Sequence, residues 1–183
     1  GEVPAVNDLL RGWKKNGQPL PDGLPADLRD FLERNRQLPD WADTGKLATA
    51  VKFNDKRGLY LGVLYGFASG MMSTVIPKEA VAVYYSKGGA NMKRRISRTA
   101  KLGYDIGSRN AYLPDGEMIV TSLKTRLAHA GVRHLLPQSP HWVAAAPEDY
   151  PISQHDMMVT WHSLPTTVMR VLKDWKVPIA AAE

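Results

Sequence analysis

Lys124-Thr-Arg-Leu-Ala-His-Ala-Gly-Val-Arg-His134 is the stretch on which the reading of this chain turns. It contains no proline. Arg126, His129 and Arg133 stand three and four residues apart, the spacings that share one face of an α-helix. Ala128, Ala130 and Gly131 carry almost no side chain, so a flat, bulky group can approach such a helix closely. Imidazole is a common ligand for metals and for haem iron, and two permanent cations beside it suit the carboxylates of a porphyrin. The segment equally describes a core histidine between two solvated arginines, and alone it favours that plainer reading.

Outward from this stretch the pattern stays helical, with proline and glycine as punctuation. Val6–Lys15 predicts a short helix and Gly17–Gly23 a loop. Pro25 suits the opening turn of a helix to about Asn35, with Leu28, Phe31 and Leu32 as its apolar face. Asp43 or Thr44 can cap the next helix. Thr44–Thr74 predicts one or two long helices broken near Lys56-Arg57-Gly58. Its second half, Leu59–Val75, is apolar and glycine-rich and is expected to be buried. Pro77 starts another helix, ended by Gly88-Gly89, and Asn91 caps one that runs to about Asp105. Pro114-Asp115-Gly116 turns into the helix of His129, which ends before Pro137. A proline-rich connection, Gln138–Pro151, comes after it. Ser153-Gln-His-Asp156 has the form of a capping box ahead of a helix to about Trp175, bent at Pro165. No strand alternation is sustained. The expected fold class is all-α, in a single domain over 1–183.

Composition narrows the chemistry. A hydrophobic share of 44% and a charged share of 23% are those of an ordinary globular protein. The net charge of +6 is spread along the chain. Its densest run, Lys93-Arg94-Arg95 with Arg98 and Lys101, lacks interleaved aromatics, so no nucleic-acid partner is expected. The absence of cysteine excludes disulfides, thiolate metal sites, iron–sulfur clusters and covalently attached haem. No apolar run reaches the ~18 residues that span a bilayer. His134, His141, His155 and His162 read as structural, without the acidic partners of a zinc site. The oligomeric state is not legible in the sequence.

Three further positions join His129. Arg95 and Thr99 are four residues apart on one helix face, with Arg98 at its edge, and Glu79 lies in the first turn of a helix. Each alone has a plain reading: a threonine bonded back to its own helix, or an acid at a helix start. Together, Glu79, Arg95-x-x-Arg98-Thr99 and Thr125-Arg-Leu-Ala-His129-Ala-Gly-Val-Arg133-His-Leu-Leu136 resemble the rubber oxygenase (latex clearing protein) family and its wider relatives, the MpaB-type oxygenases. The resemblance extends into Pro151-Ile-Ser-Gln-His-Asp156 and, more faintly, back to Pro39-Asp-Trp41.

The resemblance implies a helical fold with a globin-like core and one noncovalent haem b (iron protoporphyrin IX). It implies that His129 is the proximal iron ligand, with Arg95 and Thr99 in the haem pocket on the other side and Glu79 as base. Arg98, Arg126 and Arg133 are the expected cationic neighbours of the cofactor. Some family members present a lysine to the distal iron. Arg98 holds that place here, and a guanidinium stays protonated and does not coordinate iron. The family domain continues beyond Glu183, so the expectation is of a domain that lacks the family's C-terminal part. The implied activity is cleavage of carbon–carbon double bonds in an isoprenoid or polyisoprene by dioxygen, giving ketone and aldehyde. Arg95 would orient Glu79 or stabilise negative charge, and Leu59–Met72 would line a channel or form plain core. The compartment would be extracellular if the chain behaves as the bacterial latex clearing proteins do, and otherwise cytoplasmic. Two other readings stand beside this one: a non-catalytic haem sensor or carrier on the same scaffold, and an all-α interaction domain without cofactor.

Overall fold

Helix ends in this protein are set by a few polar side chains, and these fix which residues start each element. The computed structural model describes residues 2–86, 91–146 and 150–181. α1 spans Glu2–Arg11 and stops at Gly12, earlier than the pattern predicts. Pro25 precedes α2, Ala26–Asn35. The Asp43 carboxylate accepts from Gly45 N at 2.8 Å and Lys46 N at 3.1 Å, closing the free amides that open α3, Thr44–Val63. A π-helical segment, Leu64–Ser69, joins α3 to α4, Gly70–Val75. α5 runs Pro77–Tyr85 and α6 Met92–Ile106, the latter capped by Asn91 onto Arg94 N at 3.0 Å. α7, Met118–Leu135, carries His129 and tightens into a 3-10 turn, Leu136–Gln138. α8, Pro140–Ala145, interrupts the connection expected to be irregular. α9, Gln154–Asp174, begins with the expected capping box and contains Pro165. Among the described residues there is no strand, and the fold is all-α. None of their helices is long and apolar enough to cross a membrane.

Three apolar clusters hold these elements. The first packs Leu10, Trp13, Leu20, Leu24 and Leu32 against Val120 and Leu123, so the N-terminal segments grip the start of α7. The second joins Leu61 and Leu64 to Val168 and Leu172 of α9. The third packs Leu136, Trp142 and Ala146 against Val81, Ala82 and Val132, tying α5, α7 and α8 together.

Two expectations fail in the middle of the chain. The helix does not break at Lys56-Arg57-Gly58. Its irregularity lies at Leu64–Ser69, because an interior glycine weakens a helix without ending it when neighbours hold both sides. Nor is Leu59–Val75 wholly buried: Leu59 is 81% exposed, Phe67 70% and Val75 73%. α9 covers the stripe of Leu61 and Leu64, and a helix that is apolar all round then leaves its other faces bare. The expected helix end at Gly88-Gly89 lies outside the described residues.

Candidate functional site

Asn16 decides where α7 begins. Glu117, at the N-cap, makes no side-chain cap. Instead the buried Asn16 carboxamide reaches across the chain. Its Oδ1 accepts from Ile119 N at 3.0 Å and Val120 N at 3.4 Å, and its Nδ2 donates to Ala111 O at 2.8 Å and Leu113 O at 2.7 Å. Beside it, Lys101 Nζ bridges Asp105 at 2.5 Å and Glu117 at 3.0 Å, and Thr121 Oγ1 donates to Asp105 at 2.7 Å, locking α6 to α7. The register of α7, and with it the place of His129, is thus set from both sides.

His129 is half-buried on α7. Burial, then the charges of Arg133 and Arg95, hold its pKa below the usual imidazole range, so the ring is neutral near pH 7. No described residue hydrogen-bonds the ring. A Cβ added at Gly131 would meet nothing within 4 Å, and the same holds at Gly103 of α6. A neutral imidazole with no partner among the described residues, on a helix with open space beside Gly131, fits the demands of a ligand to a flat group. Among the described residues no cluster of three or more potential ligands for a metal ion occurs.

Arg95 reaches the same region from α6. It is half-buried, its Nη1 donates to Ser86 Oγ at 3.2 Å, and burial lowers its pKa from a value high enough that it stays charged. Thr99 is exposed and donates back to Arg95 O at 3.3 Å, the plain reading of that residue. Arg98 is exposed and engages no described residue.

The other arginines are occupied. Arg126 lies 4.9 Å over the Phe31 ring and donates to Asn35 Oδ1 at 2.9 Å, which turns it toward α2. Arg133 donates through Nε and Nη2 to Ile152 O at 2.9 and 2.7 Å, bracing the turn before α9. Both of these expected cofactor neighbours thus engage the protein itself in this structure. Shared helical spacing put them near one face, but long side chains go to whichever partner is in reach.

Glu79 is partly buried in the first turn of α5. Its partner is Thr160 of α9, whose Oγ1 donates to Oε1 at 2.9 Å, and not Arg95, for which orienting Glu79 was one of two expected roles. No ion pair joins Glu79 to Arg95. Burial raises the Glu79 pKa, the Thr160 hydrogen bond lowers it, and the nearby Asp156 charge raises it. The net direction is upward, toward what a general base needs near neutral pH. Thr160 was missed in the sequence, though a signal existed. Asp156, Thr160, Ser163 and Thr167 recur at spacings of three and four residues along α9. Of the remaining histidines, His134 meets the Gln138 amide at 3.2 Å and His141 stacks on Tyr85 with ring centroids 6.4 Å apart.

Comparisons with known proteins bear on this arrangement. No family model matches the chain. The chain is 59% identical over its whole length to the rubber oxygenase of Streptomyces sp. (strain K30), of which it covers 45%. The structure matches that of a latex clearing protein in the closed state with a TM-score of 0.93 and 59% identity, covering all of this chain and 49% of that one. The chain thus spans about half the length of the relatives it matches. Identity at this level over the whole chain, together with the match in fold, means that the chain belongs to the rubber oxygenase (latex clearing protein) family.

Proposed function

We infer that this chain carries the ligand helix and base of a haem b oxygenase that cleaves the double bonds of polyisoprene, or of a related isoprenoid, with dioxygen. The observation that carries this is His129: neutral, with no hydrogen bond to its ring among the described residues, beside open space on α7, within a chain 59% identical to a rubber oxygenase. His129 would hold the iron through an imidazole nitrogen. When bound, the haem would supply the activation of dioxygen. Of the cofactor-binding positions expected from the sequence, His129, Arg98, Arg126 and Arg133, the proposal rests on His129, and Arg126 and Arg133 also have protein partners.

The chain's own contribution is a base and a charge. Glu79 Oε1 is held by Thr160, and Oε2, which has no partner among the described residues, would take an allylic proton from the substrate and return it before product release. Arg95, anchored on Ser86, contributes a fixed positive charge that stabilises negative charge developing near His129. Thr99, on the same face, orients a ligand or water through its oxygen lone pairs. The exposed apolar side chains of α3 and the π segment, Tyr60, Val63 and Phe67 among them, offer an alkene chain contact without polar cost. The net reaction divides one C=C bond and one dioxygen into a ketone and an aldehyde.

Absorption spectra of the haem-reconstituted protein, oxidised and then reduced under carbon monoxide, test the ligand. We expect a Soret band that shifts with carbon monoxide in the wild type and is lost in His129→Ala. An unchanged spectrum in that variant would overturn the assignment. Oxygen uptake on polyisoprene latex separates an oxygenase from a haem carrier on the same scaffold.

A further inference from the structure

We propose that Thr160 is a positioning residue for the reaction, aiming the Glu79 carboxylate from α9, and that the buried Ser69–Ser163 hydroxyl pair fixes Thr160 in place. This rests on the reading of Glu79 as base. The geometry is a short chain of contacts between elements distant in sequence. Ser163 Oγ donates to Thr160 O at 2.7 Å, which commits its single proton. Ser69 Oγ, 2.7 Å away, must then be the donor to Ser163. Both serines are buried, and Ser69 closes the π-helical segment against which α9 packs. Pro165, one turn on from Trp161, has no N–H to return to the Trp161 carbonyl, so backbone bonding alone is interrupted in this part of α9. Beside that gap the serine pair adds a side-chain constraint at the neighbouring Thr160 carbonyl. Thr160 is held by its carbonyl and presents its hydroxyl to Glu79 Oε1 at 2.9 Å.

Such a bond does two things at once. It selects the rotamer that leaves Oε2 unengaged, and it favours the ionised carboxylate, opposing burial and the Asp156 charge. Among the described residues, α4 carries no charged residue, the titratable group of α8 is His141, stacked on Tyr85, and the charge that shifts Glu79 is Asp156 of α9. A change in Glu79 titration on removing the Thr160 hydroxyl is therefore read directly.

The test uses Thr160→Val, Thr160→Ser and Glu79→Gln in the haem-loaded protein. Glutamate labelled at the side-chain carboxyl with carbon-13 is titrated by NMR, and Glu79→Gln assigns the resonance. We expect Thr160→Val to move the Glu79 titration to higher pH, to move the acid limb of kcat with it, and to lower kcat about tenfold with KM unchanged. Thr160→Ser, which keeps the donor, restores all three. An unmoved carboxyl resonance in Thr160→Val, or a serine variant no better than the valine one, overturns the positioning role. Full turnover in Glu79→Gln overturns the base reading instead, and the carboxyl titration still decides whether Thr160 holds Glu79.

Discussion

Replacing Asn16 by alanine should be among the most damaging single changes to the helix that carries His129. Its side chain makes three well-formed hydrogen bonds, to Ala111 O, Leu113 O and Ile119 N, and a longer one to Val120 N. Asn16 is only 6% exposed, so water does not readily replace them. At about 1 kcal/mol net for each of the three good bonds, the loss is about 3 kcal/mol. For a chain of this size that lowers Tm by roughly 6–12 °C. Urea unfolding followed by far-UV circular dichroism, with tryptophan fluorescence as a second probe, measures it. Asn16→Asp is the informative companion. It keeps the acceptor for Ile119 N but sets a carboxylate against two carbonyls, so it should not rescue. A loss below about 1 kcal/mol for the alanine variant would refute the claim that α7 is capped from a distance.

Two further outcomes rest on the same geometry. Glu117 is held at a pKa of about 2, first by hydrogen bonds from Lys15 and Lys101. A depressed carboxylate adds stability above its unfolded pKa of about 4.5 and loses it as pH falls toward 2. Urea melts between pH 5 and 2.5 should therefore show a steeper acid loss in the wild type than in Glu117→Gln. The difference should shrink in high salt, because the cluster is partly solvated. Arg126→Ala should leave haem affinity intact and cost about 1 kcal/mol of stability through its lost contact with Phe31 and Asn35. A weakened Soret titration in that variant would return Arg126 to the cofactor site.

The helical plan was legible because its signals are local. Asp43, Asn91 and the Ser153–Asp156 box cap the residues directly after them, and their cost or gain is settled within one turn. The candidate site was legible only as a set of residue types. His129, Arg95 and Glu79 are the residues that the family resemblance singles out, but their protein partners were not legible. Ser86 holds Arg95, Thr160 holds Glu79, and Phe31 with Asn35 holds Arg126. Spacing along a helix says which side chains share a face, but not what lies across from that face. The same gap explains the apolar helix that proved half bare, since hydropathy records a tendency to be covered and not the presence of a cover.

By itself, then, the sequence determined an all-α chain without thiol chemistry, its main helix starts, and one histidine flanked by small residues, all consequences of interactions within a few positions. Only the tertiary structure decided that Asn16 caps a helix 103 residues away, that the hydroxyl on Glu79 comes from α9, and that the π segment and Ser163 lock it. Such contacts are chosen when whole elements pack, by the geometry that buries Leu61, Leu64, Val168 and Leu172 together. A hydrogen bond between distant residues exists only once that burial has brought them within reach.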